Sequence, residues 1–477
     1  MKGSMKMPVK AKPYKHQQEA FDFVCRLFGL TDGKKRSPGA ALLMEMGTGK
    51  TLVAIAVACI LYQFGLAGRV LVVAPLSLLG VWESELQRFA GVPVNAVVLK
   101  GTMEQKKELL KGASKDKLNI AIVNYESAWR LEKELLAFNP ELVIADEAHK
   151  IKEGRTKQSK SLHKLGDKAQ FKLLLTGTLI TNRELDAWSQ YRFVNPAIFG
   201  TSFYVFRGRF FDMVGYGNHI PVFRKSKTDE FLKRLHSVAY RITKTEALDL
   251  PDTTEETRYV ELEPKAMKLY RELVKESYAE MDRGEITVSN VLTKILRLSQ
   301  VTGGFVGDDD KAMHAVSTAK MEALSDILDS VMADGKKLVI MARFVAELDG
   351  IADLLEKRGI GYAQVRGGVR DRAEEVRRFQ EDEDCRVFVG QIAAAGLGLT
   401  LTAADTLVFY SMDYSMSNFT QAQARIHRIG AKETCHYIYL TARGTVDETV
   451  IKALQNKMDL AKFLIDDYRQ GRKPLDA

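Results

Sequence analysis

Five short stretches of this chain carry side chains able to act on a phosphate. The first is Met46-Gly47-Thr48-Gly49-Lys50-Thr51. Its glycines let backbone N–H groups close around phosphate oxygens, and the N-terminus of the helix that follows adds positive potential. Lys50 then reaches β- and γ-phosphates, and the Thr51 hydroxyl joins a Mg²⁺ shell. The second is Asp146-Glu147, adjacent carboxylates at the end of the apolar run Leu142-Val143-Ile144-Ala145. Such a pair divides the work of hydrolysis: Asp146 holds the metal through water, and Glu147 polarises the attacking water. Alone, two acidic residues mark a solvated loop; together with Lys50 in one α/β unit they read as an ATPase site. The third, Thr176-Gly177-Thr178, is a hydroxyl–glycine–hydroxyl turn that can link a nucleotide site to its neighbours. The fourth is Arg425 and Arg428, three apart and so on one face of a helix, which as residues alone is equally a solvated basic helix. The fifth is Gln17, whose amide can pair with adenine's donor–acceptor edge, although by itself it reads as an exposed helix residue.

These side chains need a scaffold, and the pattern around them supplies one. Ala40 to Met44 is an apolar strand, and Leu52 to Tyr62 is a helix leaving the glycine turn. Met44 stands where the general phosphate-loop pattern has its first glycine. Arg69 to Ala74 is a buried strand ended by Pro75, and a helix follows from Ser77 through Trp82, Leu86 and Phe89. Val94 to Leu99, Asn119 to Tyr125, Leu142 to Ala145 and Phe171 to Leu175 continue the strands, with a helix near Glu104 to Lys111. Strands alternating with helices predict a parallel sheet covered on both faces, with ligands at the strands' C-terminal ends. The second half repeats the rhythm: strands at Lys337 to Met341 and Cys385 to Val389, a helix from Val345 to Lys357, and further segments at Tyr362 to Arg366 and Thr406 to Tyr410.

Composition narrows the partners. The 477 residues are 46% hydrophobic and 27% charged, which allows two or three globular domains. Seventy Lys and Arg against 61 Asp and Glu give a formal charge of +9, which suits a nucleic-acid partner and equally a plain basic surface. Four cysteines, at 25, 59, 385 and 435, form no C-x-x-C pair, so neither a zinc site nor a disulfide framework is expected. No apolar core follows the basic Met1 to Lys12, and the apolar run Leu52 to Leu61 is too short to cross a membrane. An intracellular protein, cytoplasmic, nucleoid-associated or nuclear, without a membrane partner is expected.

In this order, the motifs resemble those of superfamily-two helicases and translocases, and within them the Swi/Snf-type ATPases. The resemblance is carried by Gln17, Gly47 to Thr51, Ala74-Pro75-Leu76-Ser77-Leu78-Leu79, Asn124-Tyr125-Glu126, the DEAH box Asp146-Glu147-Ala148-His149 and Thr176-Gly177-Thr178. Leu175 to Pro196 and Arg241 to Pro251 look like the Swi/Snf branch in particular. Gln421-Ala422-Gln423-Ala424-Arg425-Ile426-His427-Arg428-Ile429-Gly430 resembles its arginine-finger helix, and Ile392 to Thr400 looks closer to its strand-annealing members. Met44, Leu179, Ala424 and Ala431 depart from the family pattern, yet none removes a phosphate, metal or arginine-finger group.

The resemblance implies an α/β fold of two RecA-like lobes, each a mainly parallel sheet flanked by helices. The lobes would span 1–244 and 245–477, with helical insertions at 199–240 and 265–297 and a C-terminal brace helix at 446–477. Phe203, Tyr204, Phe206, Arg207, Arg209, Phe210 and Phe211 make the first insertion either a DNA-facing platform or a small subdomain with an aromatic core. ATP and Mg²⁺ are implied, with Gln17, Met46 to Thr51 and Gly396 binding ATP, and Thr51 and Asp146 holding the metal. Lys50, Asp146, Glu147, Arg425 and Arg428 would be catalytic, and Thr176, Gly177 and Thr178 would couple hydrolysis to movement. Ser77, Thr178, Arg372, Thr400 and Thr402 are the implied phosphate contacts to nucleic acid. The implied activity is translocation on duplex or branched DNA by a monomer, with targeting by DNA structure or a partner protein. Residue chemistry alone leaves RNA open, as it does a strand-separating helicase and an ATP-gated clamp.

Overall fold

The computed structural model describes residues 5–112, 114, 116–177, 179, 184–214, 220–247, 250–283, 288–307, 313–369, 371–395, 399–428 and 430–456. Thr178 and Gly396, two expected site residues, lie outside that set. The chain divides into two compact units, Met1–Asp249 and Leu250–Ala477.

The first unit is built on strands β1 (Gly39–Met44), β2 (Arg69–Ala74), β3 (Val94–Val98), β4 (Leu118–Asn124), β5 (Leu142–Asp146) and β6 (Phe171–Leu175). A hairpin, β7 (Phe211–Val214) with β8 (Ile220–Phe223), precedes β9 (Ala239–Ile242). The main sheet runs β3-β4-β2-β5-β6-β1-β9, and every neighbouring pair is parallel. β1, β4, β5 and β6 are buried at every position, because helices cover both faces of the sheet. Three helices matter for the site: α1 (Lys15–Phe28), α2 (Lys50–Gln63) and α3 (Leu79–Phe89). Residues Val53 through Leu61 of α2 are all buried, which explains a helix apolar on every side.

The 199–240 segment is not simply helical. The helices Phe203–Phe210 and Thr228–His236 pack around the β7–β8 hairpin, and the segment ends in β9, an edge strand of the main sheet. The hairpin alternates, with Phe211 and Met213 more covered than Asp212 and Val214, a period of two that sets strand over helix. Its rings form a core: Phe199 stacks on Phe231 with centroids 5.1 Å apart, and Phe206, Phe210 and Phe211 are buried beside them. Tyr204 and Val205 stay exposed.

The second unit carries β10 (Thr253–Val260), a small hairpin of β11 (Phe305–Gly307) and β12 (Met313–Ala315), then β13 (Leu338–Ala342), β14 (Gly361–Val365), β15 (Cys385–Gln391), β16 (Thr406–Phe409) and β17 (Cys435–Ala442). Its sheet runs β10-β17-β16-β13-β15-β14, again parallel throughout. The helices Pro264–Arg283 and Val288–Thr302 occupy the 265–297 region. The C-terminal helix is described from Val446 to Gln455; residues 457–477 of its expected span lie outside the described set. Among the described residues, no helix is long and apolar enough to cross a membrane.

The second unit also buries a carboxyl beside its sheet. Glu347, 1% exposed, accepts the N–H groups of Arg343 (3.1 Å) and Phe344 (3.0 Å) and the Ser411 hydroxyl on Oε2, while Oε1 is buried without a partner among the described residues. Burial pushes its pKa up to about 7, against the opposing pull of those donors and of Lys320. A carboxyl protonated more readily folded than unfolded contributes stability below its ordinary value of 4.5, and that contribution is lost as pH rises toward 7. Glu347→Gln is therefore expected to gain stability over the wild type between pH 5 and 8, by on the order of 3 kcal/mol. Urea unfolding of both proteins at the two pH values measures this; a pH-independent difference would contradict it.

Candidate functional site

The glycine-bearing loop leaves β1 and passes through left-handed backbone at Gly47 (φ 84°) and Gly49 (φ 89°). A Cβ at Gly49 would stand 2.1 Å from Gln17 Nε2, so a larger side chain there would displace that amide as well as strain the left-handed backbone. α1 braces this loop from behind. Gln17 Nε2 donates to the Thr48 carbonyl at 3.0 Å, His16 Nε2 lies 2.8 Å from the same oxygen, and Tyr14 N–H donates to Gln17 Oε1 at 3.0 Å. Gln17 is thus a buried brace, not an exposed helix residue, because its amide replaces water for a loop carbonyl. Lys50 Nζ donates to the Met44 carbonyl (2.8 Å) and more weakly to that of Glu45 (3.5 Å), so its ammonium is held at the mouth of the loop. The Thr176-Gly177 turn lies against the same loop: a Cβ at Gly177 would be 3.4 Å from Met46 N. Thr176 N–H donates to the Leu42 carbonyl at 3.2 Å.

Asp146 ends β5 and Glu147 follows in left-handed backbone (φ 50°), a conformation that costs a non-glycine residue about 1 kcal/mol and is concentrated at functional sites. Asp146 Oδ1 accepts Glu147 N–H (2.9 Å), Oδ2 accepts the Trp82 indole N–H (2.8 Å), and the Tyr125 hydroxyl donates to the Asp146 carbonyl (2.7 Å). Burial first, and then the Glu147 charge, push the Asp146 pKa up to about 6, with Trp82 and Lys50 pulling it back. The same burial and carboxylates hold the Tyr125 phenol well above its ordinary value. Glu147, 7% exposed, has Oε2 3.3 Å from His149 Nδ1. The donor set suits Mg²⁺: each Asp146 oxygen has lone pairs beyond its one N–H contact, and the Thr51 hydroxyl makes no hydrogen bond among the described residues.

In the second unit the helix Met416–Gln423 stops short of both arginines, so the shared helix face is not formed. Arg425 N–H bonds the Ala422 carbonyl, and its own carbonyl accepts from Leu401 N–H at 3.0 Å, which takes the backbone out of the helix. The two guanidinium groups meet all the same. Arg425 (2.9 Å) and Arg428 (3.1 Å) both donate to the Leu399 carbonyl, and Arg425 Nε also donates to that of Gln421 (2.7 Å). Two cations at one oxygen make a ready partner for an anion.

The expected nucleic-acid contacts fall on both units. Ser77 sits in the 3₁₀ turn Leu76–Leu78 after β2; its hydroxyl oxygen is buried, with no partner among the described residues, and so does not face solvent as the expected phosphate contact would. Arg372 opens the helix Arg372–Glu381 and donates to the Ala394 carbonyl at 3.4 Å. Gln380 of that helix donates to the Thr402 hydroxyl at 3.4 Å, and Thr400 is half-buried nearby in sequence.

Four residues in contact with this site carried no expected role there: His16, Trp82, Tyr125 and His149. For Trp82 the sequence signals only that a buried indole needs a polar partner, not which one.

Two family models match the chain. The SNF2-related domain matches residues 16–303 and the helicase conserved C-terminal domain residues 319–430. The chain is 28% identical to a mouse (Mus musculus) chromodomain-helicase-DNA-binding protein 1-like, over 90% of this chain and 48% of that protein. It is 27% identical to the ATP-dependent DNA helicase DDM1 of Arabidopsis thaliana, over 88% of this chain and 58% of the relative. The chain thus spans about half the length of these curated relatives. A solved Sulfolobus solfataricus SWI2/SNF2 ATPase core in complex with dsDNA is similar at 24% identity, 99% coverage of both chains and a TM-score of 0.48. With the SNF2-related domain matched over more than half of its residues, the chain belongs to the SNF2-related family of helicase-like ATPases.

Proposed function

We propose that this chain is an ATP-dependent DNA translocase that moves on duplex or branched DNA and remodels protein–DNA complexes or DNA junctions. The observation that carries the reading is the buried Asp146-Glu147 pair on the same edge of one parallel sheet as Lys50 and its glycine loop. Relatives named as DNA helicase and as helicase-DNA-binding protein support DNA as the polymer.

The loop N–H groups of Met46 to Thr51 and Lys50 hold the β- and γ-phosphates, and Gln17 braces that loop through the Thr48 carbonyl. Mg²⁺, when held by Thr51 and Asp146, supplies charge neutralisation for the phosphates. Glu147 orients the attacking water and accepts its proton. Arg425 and Arg428 neutralise charge growing on the transferred phosphoryl group. Thr176, Gly177 and Thr178 link this chemistry to the nucleic-acid contacts of the Leu76-Ser77 turn, Thr178, Arg372, Thr400 and Thr402. The motor acts inside the cell as a monomer, and DNA structure or a targeting protein selects its substrate.

Steady-state ATP turnover with no nucleic acid, single-stranded DNA, duplexes of increasing length, forked DNA and RNA tests this. Stimulation by duplex or forked DNA that grows with length supports translocation. A plateau at one footprint points to a clamp, stimulation by single strands or RNA alone to a helicase, and none at all sinks the DNA reading.

A further inference from the structure

The carboxylate of Asp146 is held by a residue far from it in the chain. Among the described residues, the Trp82 indole N–H is the sole hydrogen-bond donor to that carboxylate from outside its own segment, at 2.8 Å and 64 positions away. Trp82 is 1% exposed and lies in the first turns of α3. The backbone before it is one continuous spiral: Leu78 N–H donates to the Pro75 carbonyl at 2.9 Å, and the 3₁₀ turn Leu76–Leu78 runs straight into α3. This spiral has two ends with different exposure. At one end Leu76 is 70% exposed and the Ser77 hydroxyl oxygen is buried without a partner among the described residues. At the other end the indole grips Asp146.

We infer that Trp82 is a positioning residue: it fixes the Asp146 carboxylate, and the 75–82 spiral thereby links a nucleic-acid contact at the Leu76-Ser77 turn, where Leu76 is exposed, to the ATP site. The link rests on the function proposed above; the positioning of Asp146 does not. A buried carboxylate with one oxygen anchored by its neighbour's N–H still turns about its terminal torsion, which is broad and roughly two-fold. The indole removes that freedom with a charge-assisted bond. Because a short helical spiral moves as a unit, a shift at Leu76-Ser77 on binding a phosphate is carried to the indole, five residues on.

The test compares the wild type with Trp82→Phe and with benzothienylalanine at position 82, which keeps the indole's shape and replaces its N–H by sulfur. Calorimetry of a non-hydrolysable ATP analogue with and without Mg²⁺ reads the positioning. Both variants are expected to lose about tenfold of the Mg²⁺-dependent gain in affinity while binding the analogue normally without the metal. Turnover with and without duplex DNA reads the link, and the stimulation ratio is expected to fall about tenfold at unchanged DNA affinity. An unaltered Mg²⁺ dependence in the benzothienylalanine protein overturns the positioning role. A shifted Mg²⁺ dependence with a wild-type stimulation ratio overturns the link alone. A wild type that DNA does not stimulate sinks the proposed function and the link with it, and the Mg²⁺ arm still decides the role of Trp82.

Discussion

Glu147→Gln is expected to lower ATP turnover by about a hundredfold to ten-thousandfold while leaving nucleotide binding nearly intact. The amide keeps the volume of the carboxylate and the backbone N–H that Asp146 Oδ1 accepts at 2.9 Å, so the local geometry survives. What it loses is the ability to accept a proton from water. The residue stands in left-handed backbone with a side chain 9% exposed, which fixes the carboxylate in place and withholds bulk water as a substitute base. Rapid-quench turnover beside an equilibrium titration with an ATP analogue separates the two effects. Turnover within threefold of the wild type would remove Glu147 from the chemistry.

Lys50→Ala is expected to act on both quantities. The ammonium, on a residue 8% exposed, donates to the Met44 carbonyl at 2.8 Å. Truncation therefore removes the principal cation of the phosphate loop and leaves that carbonyl without its partner. A loss of about a hundredfold or more in turnover is expected, together with weakened nucleotide binding. The contrast with Glu147→Gln is the informative part: one variant should bind and not hydrolyse, the other should fail at binding first. The same titration checks it, and Lys50→Ala binding the analogue as tightly as the wild type would contradict the assignment.

Both variants concern groups that local sequence already exposes. A glycine turn between an apolar strand and an apolar helix, ending in Lys50-Thr51, is legible because its chemistry is made by neighbours in the chain. The same holds for Asp146-Glu147 after β5 and for the strand–helix rhythm of two parallel sheets. The hairpin β7–β8 was hidden by abundant aromatic residues, which pack equally well in helices and strands. The arginine pair was hidden differently. Its spacing promised a helix face, but the contact that brings both guanidinium groups together is the Leu399 carbonyl, some 26 and 29 positions away.

The sequence by itself determined which residue types stand at the phosphate loop, the acidic pair and the arginine pair, because backbone turns and strand ends are set by adjacent residues. Only the tertiary structure decided that Gln17 is a buried brace for the Thr48 carbonyl and that Trp82 holds Asp146. Those contacts join positions 31 and 64 apart, and they depend on sheet order. In the sheet β2 lies directly beside β5, so the helix after β2 meets the carboxylates that end β5. No periodicity along the chain encodes that neighbourhood; burial of both sheet faces does.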